Sequence, residues 1–154
     1  MEECYTKNIS RAITYSEIRQ LAEMLSNEIV EDFDALHRVH ALKLIKSLRE
    51  QGLKDVSYGR AAKIIAIYLK TSVILRNGAP TENIKVIHPP IDKILLDKLS
   101  AIPGLKGINV NVWTKLNKEG YWKLVEKLGE HFRYFDWRLE EYWIPEREVQ
   151  EKGK

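Results

Sequence analysis

The sequence predicts an all-α fold, a single domain of about five helices packed around a central helix at residues 57–76. Apolar residues recur every three or four positions over several stretches, which is typical of amphipathic helices. The central stretch is apolar on nearly every side, and a helix of that kind has to be enclosed by other helices. With 154 residues and 44% hydrophobic content, the chain can form one complete core and is too short for two.

Two helices are expected before the central one. In the first, apolar residues between positions 18 and 29 keep helical spacing behind Ser16, a residue type that caps helix N-termini. The second begins at the acidic stretch 31–34 and ends at Gly52, because glycine readily adopts the left-handed conformation that closes many helices.

The central helix is expected to begin at Ser57 and to end before the turn pair Asn77 and Gly78. Two further helices follow it. Consecutive prolines at 89 and 90 favour a helix start, which predicts a helix over 91–100. The last helical pattern begins at Thr114 or Asn117 and continues to residue 142.

Both ends of the chain lack helical periodicity. We expect residues 1–14 to form a loosely attached arm and residues 146–154 to form a frayed tail. The only cysteine, Cys4, excludes a disulfide within the chain, and no apolar run is long enough to span a membrane. These features predict a cytoplasmic protein, and the many Lys, Glu and Ile residues with only three Gln favour a thermophilic source.

Charge is distributed unevenly along the chain. Residues 17–34 carry six acids and one arginine, a balance of −5, and residues 38–70 carry eight bases and two acids, a balance of +6. This asymmetry suits a basic face that binds nucleic acid, but acidic and basic helices that are neighbours also attract each other.

The central helix carries the first candidate site. Lys63 and Lys70 are seven residues apart, which places them within about 20° of each other around a helix. Arg60 lies on the same side, and the small residues Gly59 and Ala66 flank the stripe. The pattern predicts a shallow recess in which several cations bind a phosphate group.

The second candidate site is the segment His88-Pro89-Pro90-Ile91-Asp92. It places an imidazole just outside a helix start and a carboxylate in the first turn. Helix capping explains Asp92 without any function. If this helix start lies against Lys63 and Lys70, then His88 becomes an acid/base candidate and Asp92 its orienting carboxylate.

Other common site types find little support. The sequence contains no GxGxxG, GxxxxGK[ST], HExxH or CxxC motif, and we expect neither a cofactor nor a metal. His37 and His40 lie one helical turn apart, but two imidazoles alone make a poor metal site, so we expect His40 to pack at an interface and His37 to be solvated. The segment 99–110 only partly matches a helix-hairpin-helix turn.

The residues Gly59, Lys63 and Lys70, then His88-Pro89-Pro90-Ile91-Asp92, then Trp113-Thr114-Lys115, resemble an uncharacterised family of small helical prokaryotic proteins. The resemblance covers about residues 57–116. The family has amide side chains where this chain has Ala62 and Ala66. It carries no established activity, so the resemblance implies only that these residues cluster, with Trp113 and Lys115 beside the two lysines.

Three functions are compatible with the sequence. The leading expectation is a helical protein that binds a phosphate-bearing partner, with nucleic acid as the expected partner, through Arg60, Lys63, Lys70 and Lys115. The alternative is a small enzyme that acts on a phosphate ester with His88 and Asp92. The third is a homodimer or larger scaffold, because eight aromatic residues lie between positions 121 and 143 and such residues often anchor interfaces.

Overall fold

The computed structural model describes the backbone of residues 2–108 and 114–142, and the side chains of these ranges from Lys7 onwards. All regular secondary structure in these ranges is helical, which confirms the predicted fold class. The α-helices are α1 (Glu2–Tyr15), α2 (Ile18–Asn27), α3 (Phe33–Glu50), α4 (Tyr58–Leu69), α5 (Thr81–Ile84), α6 (Lys93–Ser100) and α7 (Lys118–Phe132). A π-helical turn, Lys70–Ile74, extends α4, and a 3₁₀-helix, Trp137–Tyr142, follows α7.

The N-terminal segment differs from the prediction. Residues 2–15 form the helix α1, where the sequence predicted a loosely attached arm without helical periodicity. Ala12 is fully buried, and Ile9 and Ile13 pack against the core. Within the described ranges the fold therefore has six α-helices of eight or more residues rather than about five. The predicted frayed tail, residues 146–154, lies outside the described residues.

The central helix forms close to its expected position, as α4 and the π-helical turn. The Ser57 hydroxyl caps it by accepting a hydrogen bond from the Arg60 amide at 3.2 Å. Ile65 and Leu69 face the core, but Ile67 is 48% exposed. One side of this helix is therefore open to solvent, whereas the sequence predicted that neighbours would enclose nearly all of it.

A single buried amide joins α5 to the end of α2. Asn83 is fully buried, and its Nδ2 donates to the carbonyl oxygens of Leu25 at 2.7 Å and Glu28 at 2.6 Å. Its Oδ1 accepts from the Val30 amide at 3.0 Å. These bonds satisfy backbone groups that the end of a helix otherwise leaves unpaired. The predicted cap of α2, Ser16, is instead buried and donates to the Ile13 carbonyl oxygen at 2.8 Å.

Helix α7 begins where predicted, but α6 begins at Lys93, two residues later than predicted, because Asp92 is its cap and not part of its first turn. Asp92 caps α6 by accepting from the Leu95 amide at 2.9 Å, and Asn117 caps α7 by accepting from the Gly120 amide at 2.8 Å. The predicted continuation of α7 to residue 142 is wrong. The helix ends at Phe132 because the next residue, Arg133, adopts a left-handed conformation with φ of 66°.

The described helices pack against one another in a continuous series. Helix α1 lies on α3, α3 on α4, and α4 on α7, while the 3₁₀-helix lies on α6. Among the residues that the structure describes, no helix has the length and apolar character needed to cross a membrane.

Candidate functional site

The basic residues of α4 lie on its solvent side. Arg60 is exposed, and Lys63 and Lys70 are partly exposed, with side chains 30% and 35% accessible. Lys115 is also exposed, and the Gly59 amide donates to the Leu116 carbonyl oxygen at 3.0 Å. That backbone bond brings the segment carrying Lys115 to the N-terminal end of α4, where Arg60 lies. We call Arg60, Lys63, Lys70 and Lys115 the basic stripe.

The two lysines do not share a recess. Lys63 Nζ lies 3.7 Å from Asp92 Oδ2, and Lys70 Nζ lies 2.9 Å from Glu140 Oε1. Asp92 caps α6 and Glu140 lies in the 3₁₀-helix, so each lysine pairs with a different carboxylate. Gly59 and Ala66 are buried on the core side of α4, and they therefore do not form the expected depression beside the lysines.

His88 lies in the core rather than beside the lysines. Its side chain is 3% exposed, and its Nδ1 lies 2.8 Å from the Tyr121 hydroxyl. Its Nε2 lies 3.3 Å from Oδ1 of Asp34, whose side chain is 53% exposed. The carboxylate beside this imidazole is therefore Asp34, and the expected orienting residue Asp92 instead caps α6 and pairs with Lys63.

The imidazole of His88 belongs to a buried group of rings. We call this group the aromatic–histidine cluster, and its members are Phe33, His37, Tyr58, His88, Tyr121, Trp122 and Phe135. The centroids of the His37 and His88 rings are 4.7 Å apart. Helices α3, α4 and α7 contribute most of the rings, and the segment before α6 contributes His88.

His37 is fully buried, so the expectation that it is solvated is wrong. Its Nδ1 lies 3.0 Å from the Tyr58 hydroxyl, which also accepts a hydrogen bond from Trp122 Nε1 at 3.2 Å. Its Nε2 is buried without a hydrogen-bond partner among the described residues. Such a group is uncommon, since nearly all buried polar atoms are paired.

Burial keeps the cluster uncharged at neutral pH. Desolvation lowers the pKa of His37 well below its ordinary value and also lowers the pKa of His88. Burial raises the pKa of Tyr58 to about 12 and raises that of Tyr121 well above its ordinary value. Hydrogen bonding from His88 lowers the pKa of Asp34, so a neutral imidazole holds an ionised carboxylate at the edge of the cluster.

Asp34 opens onto a surface cleft of about 450 Å³ between α3 and α7. Arg38 lies in this cleft with its Cζ 4.0 Å from the ring centroid of Trp122, a cation–π contact. No hydrogen bond or ion pair of the Arg38 guanidinium forms within the described part of the chain. The lining residues are Asp34, Arg38, Glu119, Trp122, Lys123, Val125 and Glu126. We call this space the α3–α7 cleft.

The remaining expected features give a mixed result. Trp113 lies outside the described residues. Across ranges 2–108 and 114–142, no group of three or more His, Cys, Asp or Glu residues could hold a metal ion. His40 is buried, with Nδ1 3.2 Å from the Ser16 carbonyl oxygen. Of the described aromatic side chains from Tyr121 to Tyr142, Tyr121 is buried and the others are partly exposed, so the homodimer expectation stays a prediction.

Comparison of the chain with protein-family models, with curated protein sequences and with solved structures gives no match. The resemblance of residues 57–116 to a family of small helical prokaryotic proteins therefore stays a prediction. The candidate site has to be interpreted from its own geometry.

Proposed function

We propose that this protein binds nucleic acid, a phosphate-bearing partner, through the basic stripe. The observation that supports this function best is the alignment of Arg60, Lys63 and Lys70 along the solvent side of one helix, with Lys115 held near its N-terminal end. Cations in such a row can contact successive phosphates of one strand, and these contacts supply most of the affinity in non-specific binding.

The ion pairs of the stripe leave its lysines available. Lys63 and Lys70 remain about one third exposed, and partly exposed pairs contribute only about 0–1 kcal/mol each. A phosphate can therefore replace Asp92 or Glu140 at little cost. Within the described ranges, the Arg60 guanidinium donates to the Asp55 carbonyl oxygen alone, at 3.3 Å, so its other donors can bind phosphate oxygens.

Binding is favoured over the catalytic alternative. Both ring nitrogens of His88 face groups of the protein itself, Tyr121 and Asp34, and the ring is almost fully buried. An acid/base catalyst has to reach the substrate proton directly or through one water molecule. Asp92 is likewise occupied as a helix cap and as the partner of Lys63.

The salt dependence of binding tests the proposal. Single-stranded RNA and duplex DNA labelled with fluorescein are titrated at salt concentrations from 50 to 300 mM. We expect log K to fall linearly with log salt, and the Arg60→Ala/Lys115→Ala variant to lower the slope by about 2, because two phosphate contacts are lost.

A matched control uses Lys46 and Lys85, which are exposed and lie outside the basic stripe. The Lys46→Ala/Lys85→Ala variant changes net charge equally and should retain the slope of the parent protein. The proposal is wrong if neither nucleic acid binds at the lowest salt, or if both double variants weaken binding to the same extent.

A further inference from the structure

We infer that the α3–α7 cleft receives a guanine base of the bound strand and that Asp34 accepts hydrogen bonds from its Watson–Crick edge. This inference rests on the proposed function and adds a base preference to it. The cleft supplies an anchored acceptor, a stacking surface and a charge balance that favours a base over a phosphate.

Asp34 is the anchored acceptor. Its Oδ1 faces His88 Nε2 at 3.3 Å, and His88 is held from behind by the Tyr121 hydroxyl at 2.8 Å. An ionised carboxylate only accepts hydrogen bonds. Guanine presents two adjacent donors, N1–H and the 2-amino group, which match the two oxygens of a carboxylate. Adenine and cytosine offer only an exocyclic amino group, and uracil offers only N3–H.

Arg38 and Trp122 form the stacking surface. The Arg38 Cζ lies over the Trp122 indole at 4.0 Å from the ring centroid, and the indole Nε1 donates to the Tyr58 hydroxyl at 3.2 Å. Bases in single strands commonly stack on aromatic rings and on guanidinium planes. The outer face of Arg38 is therefore a platform for a base. Its guanidinium N–H groups, which make no hydrogen bond to another described residue, can donate to the carbonyl oxygen of guanine.

The charges of the cleft decide which part of a nucleotide enters it. The lining has two cations, Arg38 and Lys123, and three carboxylates, Asp34, Glu119 and Glu126, a balance of −1. A phosphate gains nothing from that balance, whereas an uncharged base with N–H donors is favoured. The phosphates then follow the basic stripe, since Lys115 is seven residues before Trp122 and close to the start of α7.

The test compares hexamers of RNA at low salt by fluorescence anisotropy. One hexamer is hexauridylate, and the others replace one central uridine with guanosine, inosine or adenosine. We expect the guanosine hexamer to bind the parent protein at least roughly fivefold more tightly than the adenosine or uridine hexamers. Inosine lacks the 2-amino donor and should lie between them.

The Asp34→Asn variant should keep the contact with His88, because its amide oxygen can still accept, but it should bind the guanosine, adenosine and uridine hexamers about equally, because one acceptor for the base is lost. Glu126→Gln, which neutralises another carboxylate of the same cleft, should keep the preference. Equal binding of all four hexamers by the parent, or a preference that survives in Asp34→Asn, overturns the inference.

Failure of the proposed function gives a different result, which is that no hexamer binds. In that event free guanosine and adenosine are titrated separately while the Trp122 indole N–H is followed by NMR. A shift with guanosine that is absent with adenosine and absent in Asp34→Asn supports the cleft assignment by itself. No difference between the two nucleosides overturns it.

Discussion

The imidazole of His37 is the most unusual single group in the structure. It is fully buried, it contacts a second imidazole, and its Nε2 has no partner among the described residues. The charged groups that face it, Arg38 and, when protonated, His88 and His40, all oppose a positive charge on the ring. The folded protein therefore contains His37 in its neutral form.

This arrangement predicts that acid destabilises the fold. The pKa of His37 is lower in the folded protein than in the unfolded chain, so the unfolded chain binds the proton more readily. The stability is therefore fully present above the unfolded pKa of about 6.5 and is lost as the pH falls below that value. Between pH 7.5 and 5.5, His37 should lower the free energy of unfolding by about 1 kcal/mol. His88 should add a smaller amount, because Asp34 offsets part of its shift.

Urea unfolding at the two pH values measures the loss. His37→Asn can keep the bond to the Tyr58 hydroxyl but cannot titrate, so it should lose about 1 kcal/mol less than the parent between pH 7.5 and 5.5. His131→Asn removes an exposed imidazole and serves as the control. An identical pH dependence in the parent and His37→Asn would mean that His37 is not the acid-sensitive group.

The role of a residue can be predicted best when its neighbours in the sequence determine that role. Asp92 was recognised as a possible helix cap from its position after two prolines, and it caps α6. The contact between Asp34 and His88 could not be predicted, because it joins residues far apart in sequence. The sequence predicts a solvated His37, because the spacing of residues within α3 does not show that rings from α4 and α7 cover this imidazole.

At the scale of elements, the end of α7 shows how one backbone conformation limits a helix. The apolar pattern continues beyond Phe132, but Arg133 adopts φ of 66°, a left-handed conformation that costs a non-glycine residue about 1–2 kcal/mol. The buried Asp136 then accepts from the Arg138 amide at 2.8 Å and organises the following turn. Periodicity alone could not predict this break, because the apolar residues after it keep helical spacing.

The strain at Arg133 predicts a stabilising substitution. Arg133→Gly should raise the free energy of unfolding by about 0.5–1 kcal/mol. Glycine adopts positive φ without strain, and the strain energy that is relieved exceeds the cost of the extra conformational entropy that glycine loses on folding. Thermal unfolding followed by circular dichroism measures the change. Arg133→Ala removes the same side chain but keeps the strain, so it should show no gain; a gain of equal size in both variants would point to charge instead.

The sequence does not predict helix α1. Among its described side chains, Ile9, Ala12 and Ile13 form a short apolar stripe between polar residues. These residues have helical spacing, but the stripe is too narrow to predict a helix unless it is known that the stripe packs on α3. The central helix was recognisable because its apolar character is broad, although the open side at Ile67 depends on packing that the sequence does not show.

At the scale of the whole molecule, α1 and α7 lie at opposite ends of one chain of packed helices. Contacts run from α1 to α3, from α3 to α4, and from α4 to α7. All four tryptophans occur after residue 112, so indole fluorescence reports on the C-terminal part of the chain. If the helices share one core, damage to α1 must destabilise the surroundings of Trp122 on α7.

Ala12→Asp tests whether the fold behaves as one unit. Ala12 is fully buried, so the substitution places an unpaired carboxylate in the core and should lower the free energy of unfolding by about 3 kcal/mol or more. Urea unfolding is followed by far-ultraviolet circular dichroism and by tryptophan fluorescence, and both midpoints should fall together. Ser10→Asp, at an exposed position of the same helix, should change neither midpoint appreciably. A circular dichroism change confined to low urea with an unchanged fluorescence midpoint would show that α1 unfolds separately, as the loosely attached arm predicted from the sequence would.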